Sequence, residues 1–134
     1  MASTINASST ANGIVSTADA SGILKVQSNG VTTNAVAWVN WGVSGTTVTV
    51  NNSYNVTSVT RVGTGDYTVN FTNAMPNANY VVSGTCQTTV TYVPVFGIKY
   101  NVAPTTTSCE FYTPTTTSGA LVDSTLYGLV FFGS

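Results

Sequence analysis

The chain of 134 residues contains no histidine and only four carboxylates, Asp19, Asp66, Glu110 and Asp123. Without histidine, no Ser-His-Asp or Cys-His arrangement can form, and the commonest metal ligand is missing. A glycosidase needs two carboxyl groups at a defined separation, and neither Asp66 nor Asp123 is flanked by a second acid. The sequence therefore predicts a protein that is not an enzyme and has no catalytic, metal or cofactor-binding residue. An active site built across subunits stays open, because sequence spacing does not limit it.

Basic residues are equally scarce, since Lys25, Arg61 and Lys99 are the only three and the net charge is −1. Such a chain has no basic stripe to neutralise phosphates, which argues against nucleic-acid binding. No apolar run approaches the 18 residues of a membrane span, so membrane insertion is not expected. The polar start "MASTINASST" lacks the basic and apolar regions of a secretory signal. These features predict a protein that folds in a cytoplasm and then acts there or leaves as part of an assembly.

Cysteine is limited to Cys86 and Cys109, which lack the spacing of a zinc site. A disulfide between them would require neighbouring strands and an oxidising compartment. The favoured alternative is two small buried thiols.

The shortage of charge extends over the whole surface, because a monomer of this size exposes roughly 6,700 Å². Thr, Ser and Asn can solvate part of that surface, and partner subunits can cover another part. Interface cores are poor in charge, and an almost uncharged monomer tends to associate. The composition therefore predicts a homo-oligomer.

What the chain has in abundance is threonine, about a fifth of its residues, and valine. Both are β-branched and favour strands. Turn signals recur at short intervals, from Asn12-Gly13 to Ser118-Gly119, and nothing resembles a helix. Short strands with this punctuation indicate a sandwich or barrel. We expect an all-β fold, an antiparallel β-sandwich of jelly-roll-like type.

Two segments carry the clearest strand patterns. In "TNAVAWVNW", residues 33–41, both faces are apolar, which predicts a strand covered on both sides. In "GTGDYTVNFTNAMPNANYVV", residues 63–82, Tyr67, Val69 and Phe71 alternate with polar residues, which predicts a half-buried strand. Gly63-Thr64-Gly65 leads into it, and Pro76 interrupts regular pairing after it. Between these segments, the apolar phase shifts from Val56 to Val59 unless a bulge intervenes.

The remaining strand candidates are residues 88–100, split by Pro94, and residues 108–112 and 124–132. The first 30 residues differ, with only two short apolar runs at 14–15 and 23–26. The sequence thus predicts an N-terminal extended arm over residues 1–33, which docks to a partner or intertwines between subunits. A β-sandwich domain follows over residues 34–134.

Aromatic side chains are the remaining candidates for ligand contact. Trp38 and Trp41 could stack on sugar rings, but they lie in the most apolar strand, which favours core packing for both. Tyrosines near loops are the better candidates for exposure: Tyr92, Tyr100, Tyr112 and Tyr127. Asp66 lies beside a turn, where Asp often bonds to the local backbone. No individual ligand-binding residue can be assigned from the sequence.

The segment "AWVNWGVSGTTVTVNNSYNVTSVTRVGTGDYTVNFTNAMPNANYVV", residues 37–82, resembles one that is common in tail-fibre and related virion structural proteins of cyanophages and other aquatic phages. The end "LVDSTLYGLVFFGS", residues 121–134, is similar to the last strand of those proteins. The start, residues 2–30, is similar to an N-terminal segment of the same class. The resemblance is looser over residues 84–120.

This resemblance implies a virion structural protein, a homotrimer with a β-rich distal domain. It carries over no catalytic residue, because the shared motif is a strand–turn–strand frame. Tail fibres of this type are often much longer, so the sequence predicts a short trimeric fibre or compact knob. We expect it on the particle surface, in contact with other virion proteins of capsid or tail, for host attachment, particle stabilisation or both.

Two alternatives remain open at this stage. One is a capsid decoration (cement) protein that touches no host molecule. The other is a carbohydrate-binding adhesion module that recognises a host surface glycan. The sequence does not distinguish a tail from a head location, and it does not identify the face that forms the subunit interface.

Overall fold

A computed structural model describes residues 35–87 and 93–133, together with two short strands. These strands, β1 (Gln27–Ser28) and β2 (Val31–Thr32), pair antiparallel. The other residues of the predicted arm lie outside the described residues, and so do residues 88–92.

The described residues form strands and loops without a helix, which confirms the all-β prediction. Eight further strands follow the first two. They are β3 (Ala35–Ser44), β4 (Thr47–Tyr54), β5 (Val56–Gly63), β6 (Asp66–Phe71), β7 (Val81–Cys86), β8 (Gly97–Ile98), β9 (Ser108–Tyr112) and β10 (Leu126–Phe132).

These strands build two antiparallel sheets of four strands each. The first sheet has the order β4-β3-β10-β7, and the second sheet has the order β5-β6-β9-β8. Strands β3 and β10 pair in the centre of the first sheet, so the N-terminal and C-terminal strands of the described domain are neighbours. Strands β6 and β9 form the centre of the second sheet.

One core lies between the sheets, in a sandwich-like arrangement. Trp41 of the first sheet contacts Tyr67 of the second, with ring centroids 6.0 Å apart. Phe71 meets Phe131 edge-on at 5.0 Å. The buried apolar residues come from both sheets and their loops: Ala37, Val39, Trp41, Val43, Val56, Val59, Tyr67, Val69, Phe71, Met75, Tyr80, Cys109, Phe111, Tyr127, Leu129 and Phe131.

Strand β6 follows the predicted alternation throughout. Tyr67, Val69 and Phe71 are buried, and the residues between them are half-buried on the outward side. The turn before it contains Gly65 with φ of 61°. In β5 both Val56 and Val59 are buried, and the register shifts between Val56 and Ser58. A bulge therefore resolves the phase shift in the sequence, because an extra residue turns the following side chain back to the core.

Strand β3 departs from the prediction. Its inward residues Val39 and Trp41 are buried, but Trp38 on the other face is only half-buried. Core packing is thus correct for Trp41 and wrong for Trp38. Among residues 35–87 and 93–133, the second sheet packs on the core side of the first sheet, and no strand packs on the outward side, where the other apolar residues of β3 lie.

The cysteines lie in different sheets, Cys86 on β7 and Cys109 on β9, and both are free thiols. Cys109 is buried, as predicted, whereas Cys86 is half-buried. Burial raises the pKa of the Cys109 thiol to about 11. The Cys109 thiol is therefore protonated at neutral pH, and a protonated thiol is unreactive.

Candidate interaction surface

Charge is segregated between the two sheets. Within the described ranges the charged residues are Arg61, Asp66, Lys99, Glu110 and Asp123. All of them lie in or beside the second sheet or in the loop before β10, and β3, β4, β7 and β10 carry none. The charged side chains and the first sheet therefore form two separate surfaces of the described protein.

The first charged cluster is centred on Lys99. Its ammonium lies 3.0 Å from a carboxylate oxygen of Asp66 and 3.0 Å from one of Glu110, and 5.1 Å from the centroid of the Tyr112 ring. Hydrogen bonds to Glu110 and Asp66 raise the pKa of Lys99 above its usual value. Asp66 therefore pairs with a lysine side chain rather than with the local backbone that the sequence suggested. Strand pairing brings together two carboxylates that are far apart in the sequence.

The second cluster is centred on Asp123. Arg61 donates to both carboxylate oxygens, with Nη2 to Oδ2 at 2.6 Å, and the Gly65 N–H donates at 2.8 Å. The Tyr67 hydroxyl also donates to Oδ1. Tyr127 donates in turn to the Tyr67 hydroxyl at 3.3 Å. This network attaches the loop before β10 to the turn between β5 and β6.

The titration of the network follows from these contacts. Burial by itself would raise the pKa of Asp123, but hydrogen bonds from Arg61, the Gly65 N–H and Tyr67 hold it below its usual value. Burial, and then the hydrogen bond to Asp123, raise the pKa of Tyr67 well above its usual value. Asp123 is thus an ionised acceptor in the folded protein, and its lone pairs are used for structure.

Neither cluster has the donor set of a metal centre. Among the described residues no group of three or more His, Cys, Asp or Glu side chains could hold a metal ion. In the same ranges, no helix is long and apolar enough to cross a membrane.

The outward face of the first sheet, here called the uncharged face, is mapped by strand register. One row across the sheet contains Tyr54, Trp38, Val130 and Ser83. The row towards the start of β3 adds Phe132 opposite Val81. Tyr54, Phe132 and Val81 have exposures of 41%, 40% and 66%. This half of the uncharged face is aromatic and aliphatic, although it faces outward.

The next row is polar and contains Asn52, Asn40, Gly128 and Thr85. Asn40 donates from Nδ2 to the Tyr127 carbonyl at 2.9 Å and accepts from Asn51 at 2.8 Å. Gly128 has no side chain, so its neighbours border an open depression of about 330 Å³, here called the Gly128 trough. Its walls come from the side chains around the glycine: Trp38, Val130, Asn40, Ser83 and Thr85.

Only some predicted aromatic positions belong to this surface. Tyr100 is 80% exposed, as predicted, but it follows β8 of the second sheet. Tyr127 is 1% exposed, so its predicted exposure is wrong. It stacks on Trp41 with centroids 4.7 Å apart, because it points inward from β10. Tyr112 is half-buried, and Tyr92 lies outside the described residues.

Sequence reasoning missed Phe132 and Gly128 as surface residues. The segment "LYGLVFF" gives a weak signal, since apolar residues occupy both faces of the strand at 129–132. The alternation of Tyr127, Leu129 and Phe131 identifies one face as inward. Phe132 then points away from the core. That inference needs the pairing of β10 with β3 and β7.

Comparison of the chain with protein-family models, curated proteins and solved structures finds no match. The resemblance to phage virion proteins therefore depends on the sequence segments given above.

Proposed function

We propose that the chain is a non-enzymatic structural protein of a phage particle. Three copies form a short fibre or knob on the particle surface, which serves host attachment, particle stabilisation or both. The virion location and the trimer follow from the sequence resemblance. The jelly-roll-like topology also stays a prediction at this level.

The observation that carries this proposal is the uncharged face. Trp38, Tyr54 and Phe132 lie outward on a sheet that has no charged residue in any of its four strands. A soluble antiparallel sheet usually presents polar residues to water. An apolar, charge-free patch that is larger than a few side chains marks an interaction site.

Other copies of the chain are the occupants that fit this face best. Around a rotation axis, each side chain near the axis meets the same side chain of another copy. A charged group there would meet its own sign, and like charges at an interface are costly. The uncharged face has no such repulsion, whereas the second sheet carries Arg61, Asp66 and Glu110 and suits contact with water.

A carbohydrate-binding adhesion module is the second candidate function. The Trp38 indole lines one side of the Gly128 trough, and Ser83 and Thr85 line the other side. An aromatic ring next to neutral hydroxyl groups is a combination that can hold a sugar ring. This occupant would compete with a neighbouring copy for the same surface.

The first test is the mass of the purified chain by light scattering during gel filtration. We expect three times the 13.9 kDa of one chain. A monomer over the whole micromolar range would contradict association through the uncharged face.

The second test is the location of the chain on intact phage particles, imaged with a labelled antibody. Label at the tail supports host attachment. Label over the head supports a decoration or cement role within the same proposal. Particles that contain no label at either place would contradict the virion assignment.

A further inference from the structure

The uncharged face contains both a recess and a protruding ring, and both belong to β10. The recess is the Gly128 trough, and the ring is the side chain of Phe132, which is 40% exposed. They point to the same side, because residues 128 and 132 differ by an even number in an extended strand.

The Phe132 side chain cannot enter the Gly128 trough of its own chain. Four residues of strand separate Phe132 from Gly128, roughly 14 Å at the usual rise per residue. Phe132 does not line the trough; Trp38 and Val130 do. Within the described residues of one chain, Phe132 therefore stays 40% exposed and the Gly128 trough stays open.

The size and polarity of the trough suit a phenyl ring. The trough is an open depression of about 330 Å³, which leaves room for a phenyl ring that approaches from outside. The Trp38 indole offers a face for edge-on or offset ring contact. The surrounding strands carry no charge that would have to be desolvated.

We infer that the Phe132 ring of one copy inserts into the Gly128 trough of a neighbouring copy. This inference rests on the proposed homo-oligomer and identifies its contact. If the symmetry axis of the oligomer is perpendicular to the strands, β10 of each copy lies at the same height along the axis as β10 of the next copy. Each copy then inserts its Phe132 side chain into one neighbour and accepts the Phe132 side chain of another neighbour. These contacts produce a closed cyclic oligomer.

The structure offers variants that separate this contact from folding. A Cβ atom at Gly128 would lie 3.6 Å from Thr85 Oγ1 and 3.9 Å from Asn40 Nδ2, which is ordinary contact. Gly128→Val therefore adds a branched side chain to the floor of the trough, and its Cβ atom makes only ordinary contacts. Gly97→Val is the matched control, because no atom lies within 4 Å of a Cβ there. Ile98→Ala, at 46% exposure on the second sheet, is the control for Phe132→Ala.

The experiment measures association of the full chain and each variant by sedimentation equilibrium, with thermal unfolding to confirm folding. We expect Gly128→Val and Phe132→Ala each to weaken association by about 30-fold or more, as loss of a central aromatic contact does. The two control variants should associate like wild type. An unchanged association constant in both trough and ring variants would overturn the inference.

Mixing the two defective variants gives a readout that a folding defect would not produce. Phe132→Ala chains keep an open trough, and Gly128→Val chains keep the ring. We expect the mixture to form heterodimers at concentrations where each variant alone is monomeric. No heterodimer in the mixture would overturn the ring-in-trough pairing.

Failure of the inference can be told from failure of the proposed function. A monomeric wild-type chain contradicts the proposed oligomer itself. An oligomeric wild type that is insensitive to both substitutions contradicts only the ring-in-trough contact. If wild type instead binds neutral oligosaccharides on an array and Gly128→Val abolishes this binding, the trough is a glycan site and the inference is wrong.

Discussion

Asp123 is the residue at the centre of the second charged cluster, and all of its partners there come from distant parts of the chain. It accepts from Arg61, the Gly65 N–H and Tyr67 while its side chain is only 22% exposed. Its position in the sequence, just after "SGALV", indicated a turn and nothing more. The contacts come from residues about sixty positions earlier, which no local pattern can identify.

We predict that Asp123→Asn lowers the free energy of unfolding at neutral pH by about 2 kcal/mol, because hydrogen bonds to an ionised acceptor are lost. The native pKa of Asp123 lies below its unfolded value. Its contribution is therefore complete above about pH 4 and is lost as the pH falls through the native pKa. Urea unfolding followed by tryptophan fluorescence, at neutral and at acidic pH, measures both.

The difference between wild type and Asp123→Asn should shrink in acid. A difference that stays constant with pH would contradict the assigned role of the carboxylate. Glu110→Gln is the control, because Lys99 keeps its contact with Asp66. We expect that variant to change stability little.

Gly65 is the second residue whose role depends on its surroundings. Its φ is 61°, and an added Cβ would lie 2.7 Å from the Val122 backbone nitrogen. Gly45 has almost the same φ of 60° but no atom within 4 Å of an added Cβ. We predict that Gly45→Ala costs about 1 kcal/mol from backbone strain alone. Gly65→Ala should cost roughly 3 kcal/mol, because the close backbone contact adds to that strain.

Thermal or urea unfolding of the two variants gives the comparison. Equal losses at both positions would mean that the loop before β10 does not pack against the Gly65 turn as described.

At the scale of elements, β6 is the strand that sequence reasoning describes best. Its three inward residues are those that the alternation predicted. The reason is that side-chain direction in a strand is local, with a period of two residues. β3 shows the limit of the same rule: when both faces are apolar, the period does not tell which face is covered.

Adjacent positions of β6 give an internal test of this alternation. Val69 is fully buried, so Val69→Thr places a hydroxyl in the core and should cost about 2 kcal/mol. Thr68 faces outward beside it, so Thr68→Val should change stability by no more than about 0.5 kcal/mol. Urea unfolding of both variants measures the difference. Similar effects at the two positions would contradict the inward and outward assignment.

At the scale of the whole molecule, the charges of the described residues lie on or beside the second sheet or in the loop before β10. If copies associate through the uncharged face, the contact has no charge–charge interactions that salt could screen. We predict that the association constant changes less than about twofold between roughly 0.05 and 0.5 M NaCl. Sulfate should strengthen association, because it favours burial of apolar surface. Sedimentation at several salt concentrations gives this dependence.

A steep fall of association with NaCl would point instead to the charged second sheet, with Lys99 and Arg61 as the first residues to substitute. The matched control is the thermal stability of the monomeric Phe132→Ala variant over the same salt range. It separates an effect on folding from an effect on association.

The sequence by itself determined the all-β class, the bounds of β9, the inward residues of β6, and the low total charge. These properties depend on composition and on local geometry, which is set by residues that are adjacent in the sequence. Only the tertiary structure decided which strands share a sheet, because strand pairing joins segments that are tens of residues apart. That pairing collected the charges on one sheet, placed Asp66 and Glu110 on one lysine, and left Trp38 and Phe132 outward on the other sheet.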